Sequence, residues 1–459
     1  MPQAALSEIL AAARFDAPGA AQITGADPVL PTPYRIGTAG AASLAALGLA
    51  VEELWTLRGG SRQALTLDVR AAAVSLRSAR YLRIRGKPPP SPWDPLSGFY
   101  PVRDGWISIH CNFPNHRDAA MGVLRSDARE AAEQASRGWR GEALEDAIHA
   151  AGGCAGFVRT RDEWRVHPHA KAVALQPLIE IEKIGEAPPE PLSAAERPLQ
   201  GVRVLDLTRV LAGPTCAKCL AEHGADVLKI SAGHLPDSGP MEIDTGIGKL
   251  SARVDLREPQ GVATLQALAR RADVFSQSYR PDALARRGFS PEALATLRPG
   301  IVCVSLSAWG GSGLWRERRG FDSIVQAVSG MAHATGGEAG DDTKPKLMPV
   351  SAIDYVSGYL MAFGATLALS RRAREGGSWL VRVALARVGK WIVDRGDPPR
   401  AWSDVPEDLP EAELAALYGD MDTPFGPIRH LRPVMRLSKT PPYWSRPPVP
   451  LGAHPPAWP

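Results

Sequence analysis

Three stretches of this 459-residue chain carry side chains that could do chemistry. The first centres on Asp354, which follows a polar segment (Thr335 to Thr343) and heads a long apolar run, Tyr355 to Arg374. A carboxylate at such a place either caps a helix or, facing a ligand, acts as a nucleophile that needs no metal. The second is Cys216 and Cys219, a C-x-x-C pair near an expected helix start. That spacing can lower a thiolate pKa, although two small residues packing under a sheet are the favoured explanation. Zinc would need a second ligand pair close by, and the neighbouring sequence offers none. The third is the glycine-rich stretch Ser307 to Gly313, following the apolar run Ile301 to Leu306. Glycine corners after buried strands are where α/β sheets receive ligands.

These residues need a scaffold. From Gly201 the apolar run Val202, Val204, Leu205, Leu207 reads as a buried strand that breaks at Gly213-Pro214. A helix from Thr215 to His223 and a strand from Asp226 to Ile230 complete a right-handed βαβ unit. Strands are expected at Ala252 to Leu256, Asp273 to Ser276 and Ile301 to Leu306. Helices are expected at Pro259 to Ala269, Pro281 to Arg287 and Phe321 to His333. The fold class is α/β: a Rossmann-like open parallel sheet in a large domain (201–395), with a smaller α+β domain (98–188) before it. Pro189 to Leu199 marks the boundary between them. Residues 1–33 read as a loosely tied extension. The tail, 420–459, is too rich in proline for helices or central strands and reads as a wrapping segment.

An internal echo singles out Asp354. Residues 34–87 repeat the plan of 354–393: helix, Gly-Gly-Ser corner, strand, helix. Thr38 stands ten residues before Gly48, and Asp354 ten residues before Gly364. A carboxylate in only one of two copies points to one chemical copy and one structural copy.

Composition narrows the partners. The net charge is +4 with the basic residues scattered, which argues against nucleic acid but not against a small polyanion. No stretch reads as 18 apolar residues free of charge, so no membrane span is expected. The first residues lack a secretory signal pattern, and five cysteines, an odd number, suit a reducing compartment. The expectation is a cytoplasmic protein.

The motif Gly201-Val-Arg-Val-Leu-Asp-Leu-Thr-Arg-Val-Leu-Ala-Gly-Pro214 resembles the opening motif of the family III CoA-transferases. That group includes formyl-CoA transferase, carnitine CoA-transferase and the alpha-methylacyl-CoA racemases. Further resemblances follow in family order: Val254-Asp255-Leu256 before Pro259, Ala272-Asp273-Val274, Arg280-Pro281, Leu284 with Arg286 to Phe289, and Val304 to Ser307. Gly320-Phe321-Asp322, Gly330 to Asp354 and Gly376 to Val383 complete the series. The resemblance implies an acyl-CoA:carboxylate CoA-transferase with Asp354 as its nucleophile, a carboxylate expected to be ionised at pH 7. It implies coenzyme A contacts at Val210, Ala212, Ser278, Tyr279, Arg286 and Arg319, the two arginines holding phosphate oxygens. It implies acyl-CoA and a carboxylic acid as substrates, no metal or nucleotide cofactor, and a homodimer, possibly interlocked. Several residues depart from the family pattern. Leu211 stands for a glutamine, Ala232 for an arginine and Ser278-Tyr279 for Asn-Phe, and the small domain precedes the large one. Thr38 cannot serve as the nucleophile, so the first copy is expected to be silent. Two alternatives stay open: an acyl-CoA racemase, which needs a second acid–base group (His333 is nearest in sequence), and a silent CoA-binding homologue. A dinucleotide oxidoreductase fits less well, since Arg209 to Pro214 lacks G-x-G-x-x-G.

Overall fold

The computed structural model describes residues 1–337, 344–398 and 402–459. Most of the expected polar loop, 338–343, lies outside the described residues. The seven-stranded sheet runs Lys249–Arg253, Asp226–Ser231, Arg203–Leu207, Val274–Gln277, Val302–Ser307, Ser378–Ala384, Glu180–Gly185. All neighbours are parallel except the last pair, where Glu180–Gly185 runs antiparallel to Ser378–Ala384. Strand order reverses on either side of Arg203–Leu207, so a crevice opens beyond Leu207 and Gln277. That crevice is where the site lies.

The corner after Leu207 differs from the sequence expectation. The helix spans Ala212–Glu222 and takes Gly213 and Pro214 into its first turn, where the amide that proline lacks would have had no partner. Gly213 is required: a Cβ there would collide with the Thr208 side chain. Val210 just before it sits at φ 70°, a strained value for a β-branched residue. Further along, the expected strand Ala252 to Leu256 is shifted to Lys249–Arg253. The expected helix Pro281 to Arg287 shrinks to a single 3-10 turn, Ala285–Arg287. Phe321 to His333 is two helices, Asp322–Val328 and Met331–Gly336, broken at Gly330 with φ 82°.

Both ends of the chain are more ordered than expected. Pro2–Ala12 is a helix that buries Ala5, Leu6 and Ile9, and Ala21–Thr24 is a strand parallel to Leu65–Asp68. The tail forms strands after all. Ile428–Leu431 sits at the centre of a three-stranded antiparallel sheet between Tyr418–Met421 and Arg83–Ile84. Arg436–Leu437 pairs antiparallel with Leu65–Asp68. Beyond it, residues between the prolines tie the tail to the large domain. Trp444 Nε1 donates to the Lys218 carbonyl (3.0 Å) and Trp458 Nε1 to that of Leu268 (3.1 Å).

The echo reaches into the sheets. Ala21–Thr24, Leu65–Asp68 and Arg436–Leu437 form a parallel pair with an antiparallel edge strand, as do Val302–Ser307, Ser378–Ala384 and Glu180–Gly185. The strand Glu180–Gly185, expected within the small domain (98–188), instead completes the large sheet, while the tail strand completes the small one. The helices Ile36–Leu57 and Ala352–Glu375 pack on each other. Both are long and apolar enough to cross a membrane, but 83% and 94% of their most apolar windows are buried within the protein. Here they are core helices. The small domain keeps its own core around Tyr100, Ile107, Leu144 and Ile148.

Candidate active site

Asp354 is the third residue of the helix Ala352–Glu375, whose start has no side-chain cap of its own. The anion comes from elsewhere. Asp322, in the first turn of Asp322–Val328, accepts the Asp354 N–H at Oδ2 (3.1 Å) and a further bond from the Ile353 N–H. Gln326 Nε2 donates to the same carboxylate, and Gln326 Oε1 accepts the Met348 N–H (2.8 Å). Two carboxyl groups therefore lie side by side, 6% and 9% exposed at Asp322 and Asp354. Burial pushes Asp322 up to about 6, with hydrogen bonds opposing the rise. Asp354 is raised well above the carboxylate range, by burial first and by the Asp322 charge second. The expectation of a carboxylate ionised at pH 7 meets two influences that oppose it, burial and the Asp322 charge.

Asp354 opens into a cavity of about 540 Å³ at the sheet crevice. Val210, Ala212, Ser278, Tyr279 and Arg319 line it together with Asp354. Arg286 does not. It is exposed on the turn Ala285–Arg287, outside this wall. The arginines that face the cavity with Arg319 are Arg209, Arg280, Arg316 and Arg318. Arg316 and Arg318 pair with Glu317 (2.9 Å) and with Asp146 and Glu145. Arg209, Arg280 and Arg319 have no carboxylate partner among the described residues, so the wall carries excess positive charge suited to a polyanion. The first turn of Ala212–Glu222, without a side-chain cap, opens on the same space.

Asp322, Arg209, Arg280 and His116 escaped the sequence reading as site residues. Asp322 and Arg280 were visible in the motifs Gly320-Phe321-Asp322 and Arg280-Pro281. His116 had no local signal, since the small domain brings it in. His333 is exposed on Met331–Gly336 and does not line the cavity; His116 does, neutral at pH 7 because burial and then Arg319 lower it to about 4. Cys216 and Cys219 are fully buried thiols, both pushed up by burial, which leaves no activated thiolate there. Among the described residues no group of three His, Cys, Asp or Glu side chains could hold a metal ion.

A second cavity of about 500 Å³ reaches Asp354 from another side and shares Val210, Leu211 and Phe321 with the first. The residue proposed to react thus stands where two spaces meet.

The family model for CoA-transferase family III matches residues 199–396. An acyl-CoA transferase of Gibberella moniliformis is 27% identical, aligned over 93% of this chain and 88% of its own length. That alignment necessarily takes in segments before residue 199. A succinyl-CoA:glutarate CoA-transferase of Mus musculus is 37% identical over 39% of this chain and 43% of its own length. A probable fatty acyl-CoA transferase of Mycobacterium tuberculosis is 33% identical over 42% of this chain and 52% of its own. A solved structure of a hypothetical protein from the same organism is 31% identical, covering 44% of this chain and 59% of that one, with a TM-score of 0.40. Against the last three, the matched region spans only about half of each relative's length. Through residues 199–396, this chain is similar to CoA-transferase family III.

Proposed function

We propose that the chain is an acyl-CoA:carboxylate CoA-transferase with Asp354 as its nucleophile. One observation carries the reading: a buried carboxyl at a helix start, opening into a sheet-edge cavity walled by three arginines without carboxylate partners among the described residues. Once deprotonated, an Asp354 oxygen attacks the acyl carbon of the thioester. The C–S bond breaks, giving a mixed anhydride and the thiolate of coenzyme A. The thiolate attacks the Asp354 carbonyl and releases the donor acid as its carboxylate. The acceptor carboxylate then attacks the aspartyl thioester and expels the thiolate, giving a second mixed anhydride; the thiolate attacks its acceptor acyl carbon, forming the new thioester and releasing the Asp354 carboxylate. Each tetrahedral intermediate carries an oxyanion, for which the uncapped amides at the start of Ala212–Glu222 are suited. Arg209, Arg280 and Arg319 suit the phosphates of the coenzyme, with Val210, Ala212, Ser278 and Tyr279 beside them. Arg286 leaves that set. The mouse relative's name, a transferase between succinyl-CoA and glutarate, makes dicarboxylic acids the substrates to try first. The reading includes a cytoplasmic setting, consistent with five free, buried cysteines. It also includes a homodimer, which sedimentation of the full chain tests.

Incubation with a panel of acyl-CoA esters followed by intact-mass spectrometry tests the chemistry. The expected result is a coenzyme A adduct at Asp354 that disappears in Asp354→Ala, together with at least a roughly 10⁴-fold fall in turnover. A racemase is the second reading, favoured by His116, whose neutral imidazole lines the same cavity as Asp354. Deuterium exchange at the α-carbon without an adduct would establish it instead. Neither adduct nor exchange would leave the silent CoA-binding homologue.

A further inference from the structure

We infer that the second cavity receives the acyl group of a dicarboxylic acid, and that Arg77 and Arg80, supplied by the half without a nucleophile, bind its remote carboxylate. This rests on the transferase reading above.

The two cavities that meet at Asp354 differ in kind. The first holds five arginines and has room for a polyanion; the second is smaller, and among the described residues its only carboxylates are Asp322 and Asp354. Part of its wall is apolar, with the prolines of Pro88 to Pro92, Trp93, Met241 and Met348. Such a surface suits methylene groups. Against it stand two cations, Arg77 and Arg80, at the junction of the short helices Val69–Ser75 and Ser78–Tyr81.

Arg77 is 3% exposed at its side chain. Its Nε donates to Tyr81 Oη (2.8 Å), and its Nη2 to the Glu407 carbonyl (2.9 Å) and Asp408 (2.8 Å). Its Nη1 is buried with no partner among the described residues. The same cavity is lined by His110, stacked on Phe321 at 3.9 Å, and its Nδ1 is also buried without a partner. Buried polar atoms are seldom left idle, and a cationic donor is among the costliest to leave so. Two of them on one cavity wall, next to a carboxyl nucleophile, are the mark of a site for a polar occupant. Arg80 is half exposed, and its sole carboxylate neighbour among the described residues is Glu407 at 4.0 Å, itself 80% exposed. Its charge is largely free.

The arginines are held at a fixed span from the reacting residue. Ser78 lies between them in sequence, and its Oγ bonds Tyr355 Oη (3.0 Å) and Asp244 Oδ2 (2.7 Å). Tyr355 is the residue after Asp354, and its Oη also accepts the Ala79 N–H (3.3 Å). An occupant whose carbonyl carbon sits on Asp354 and whose far end meets these cations carries a second carboxylate. A monocarboxylic acyl group of equal length would leave Arg77 Nη1 without a partner, and sites built to bind a polar group reject analogues that lack it.

The test compares succinyl-CoA with butyryl-CoA as donors to the full-length protein, acetate being the common acceptor. The wild type is expected to favour succinyl-CoA in kcat/KM. Arg77→Met should move that ratio roughly 10–100-fold towards butyryl-CoA, the value of a charge-assisted bond. Arg80→Met, at a half-exposed position, should move it the same way by less, and it serves if Arg77→Met does not fold. A purely structural role would lower both esters alike and leave the ratio unmoved, which overturns the inference, as does a wild type indifferent to the two. If no ester of any kind leaves coenzyme A on Asp354, the transferase reading falls, and this inference with it.

Discussion

At the start of the helix Ile36–Leu57, Asp27 accepts the Gly37 N–H (2.9 Å) and the Thr38 N–H (2.7 Å). At the start of Ala352–Glu375, Asp322 receives the N–H groups of Ile353 and Asp354. In each case a carboxylate from outside the helix meets the free amides and positive end of its first turn, at the second and third residues. The parallel continues ten residues on. A Cβ on Gly48 would come within 2.7 Å of Leu65, and one on Gly364 within 2.5 Å of Val381, each on the strand that follows. Both glycines let a helix lie directly on its strand. What differs is the third residue. Thr38 is 1% exposed and lines neither cavity, whereas Asp354 borders both. The capping acid is therefore a requirement of the fold, kept in both halves. In the proposed function the second carboxyl belongs to chemistry, and it is found in one.

Restoring the missing carboxyl by Thr38→Asp should have the largest effect on stability. It would bury a second acid beside Asp27 with no cationic cavity in front of it. A loss of about 3–5 kcal/mol is expected from an uncompensated buried charge. A buried acid has a raised folded pKa, so the native state holds protons that the unfolded chain has released. The loss should accordingly be greater at pH 8 than at pH 5 in urea denaturation. No second coenzyme A adduct should form. A stable variant that traps coenzyme A at both halves would break the division between them.

Asp322→Asn acts on the chemical half and should be milder. The amide keeps an oxygen for the Asp354 N–H but removes the charge that, after burial, raises Asp354. If Asp354 is the nucleophile as proposed, activity needs it deprotonated, so the wild-type kcat/KM should climb with pH as that proton leaves. With Asp322 neutral, the climb should begin at lower pH, and kcat at high pH should fall by about tenfold or less through looser positioning. An acid limb that stays where it was would mean that the two carboxyls do not share charge.

Much of this was legible in the sequence. Buried strands announce themselves by apolar runs, and the corner from Gly201 to Pro214 gave the crevice its place. The echo between Thr38 and Asp354 needed only spacing. The second acids were not legible, because Asp27 and Asp322 reach their helices through space, from 11 and 32 residues upstream. The same holds for Arg77 and His116, brought in from the silent half and the small domain. Arg286 shows the opposite failure: its motif lies in family order, yet the 3-10 turn that carries it leaves the side chain outside the cavity. The ends were misread since Pro2–Ala12 and Ile428–Leu431 gain their stability from partners far along the chain.

Asp27→Asn is the smallest change and the most selective. The amide can still accept one of the two N–H groups, so the loss of cap should be below about 1 kcal/mol at pH 5. Burial is the largest influence on Asp27 and raises it. A raised folded pKa means that the native state binds more protons than the unfolded one, so the wild type loses stability as pH rises from the ordinary carboxylate value towards the raised one. The variant has no such proton to lose. Its stability should gain on the wild type as pH rises above the ordinary carboxylate value, and the two urea midpoints should converge or cross. Asp27 lines neither cavity, so the pH dependence of kcat/KM should be that of the wild type within about twofold. Asp322→Asn is predicted to move the same profile. If Asp27→Asn moved it too, the charge at one helix start would be felt at the other across the packed pair Ile36–Leu57 and Ala352–Glu375. The silent half would then tune the nucleophile's proton as well as support its helix.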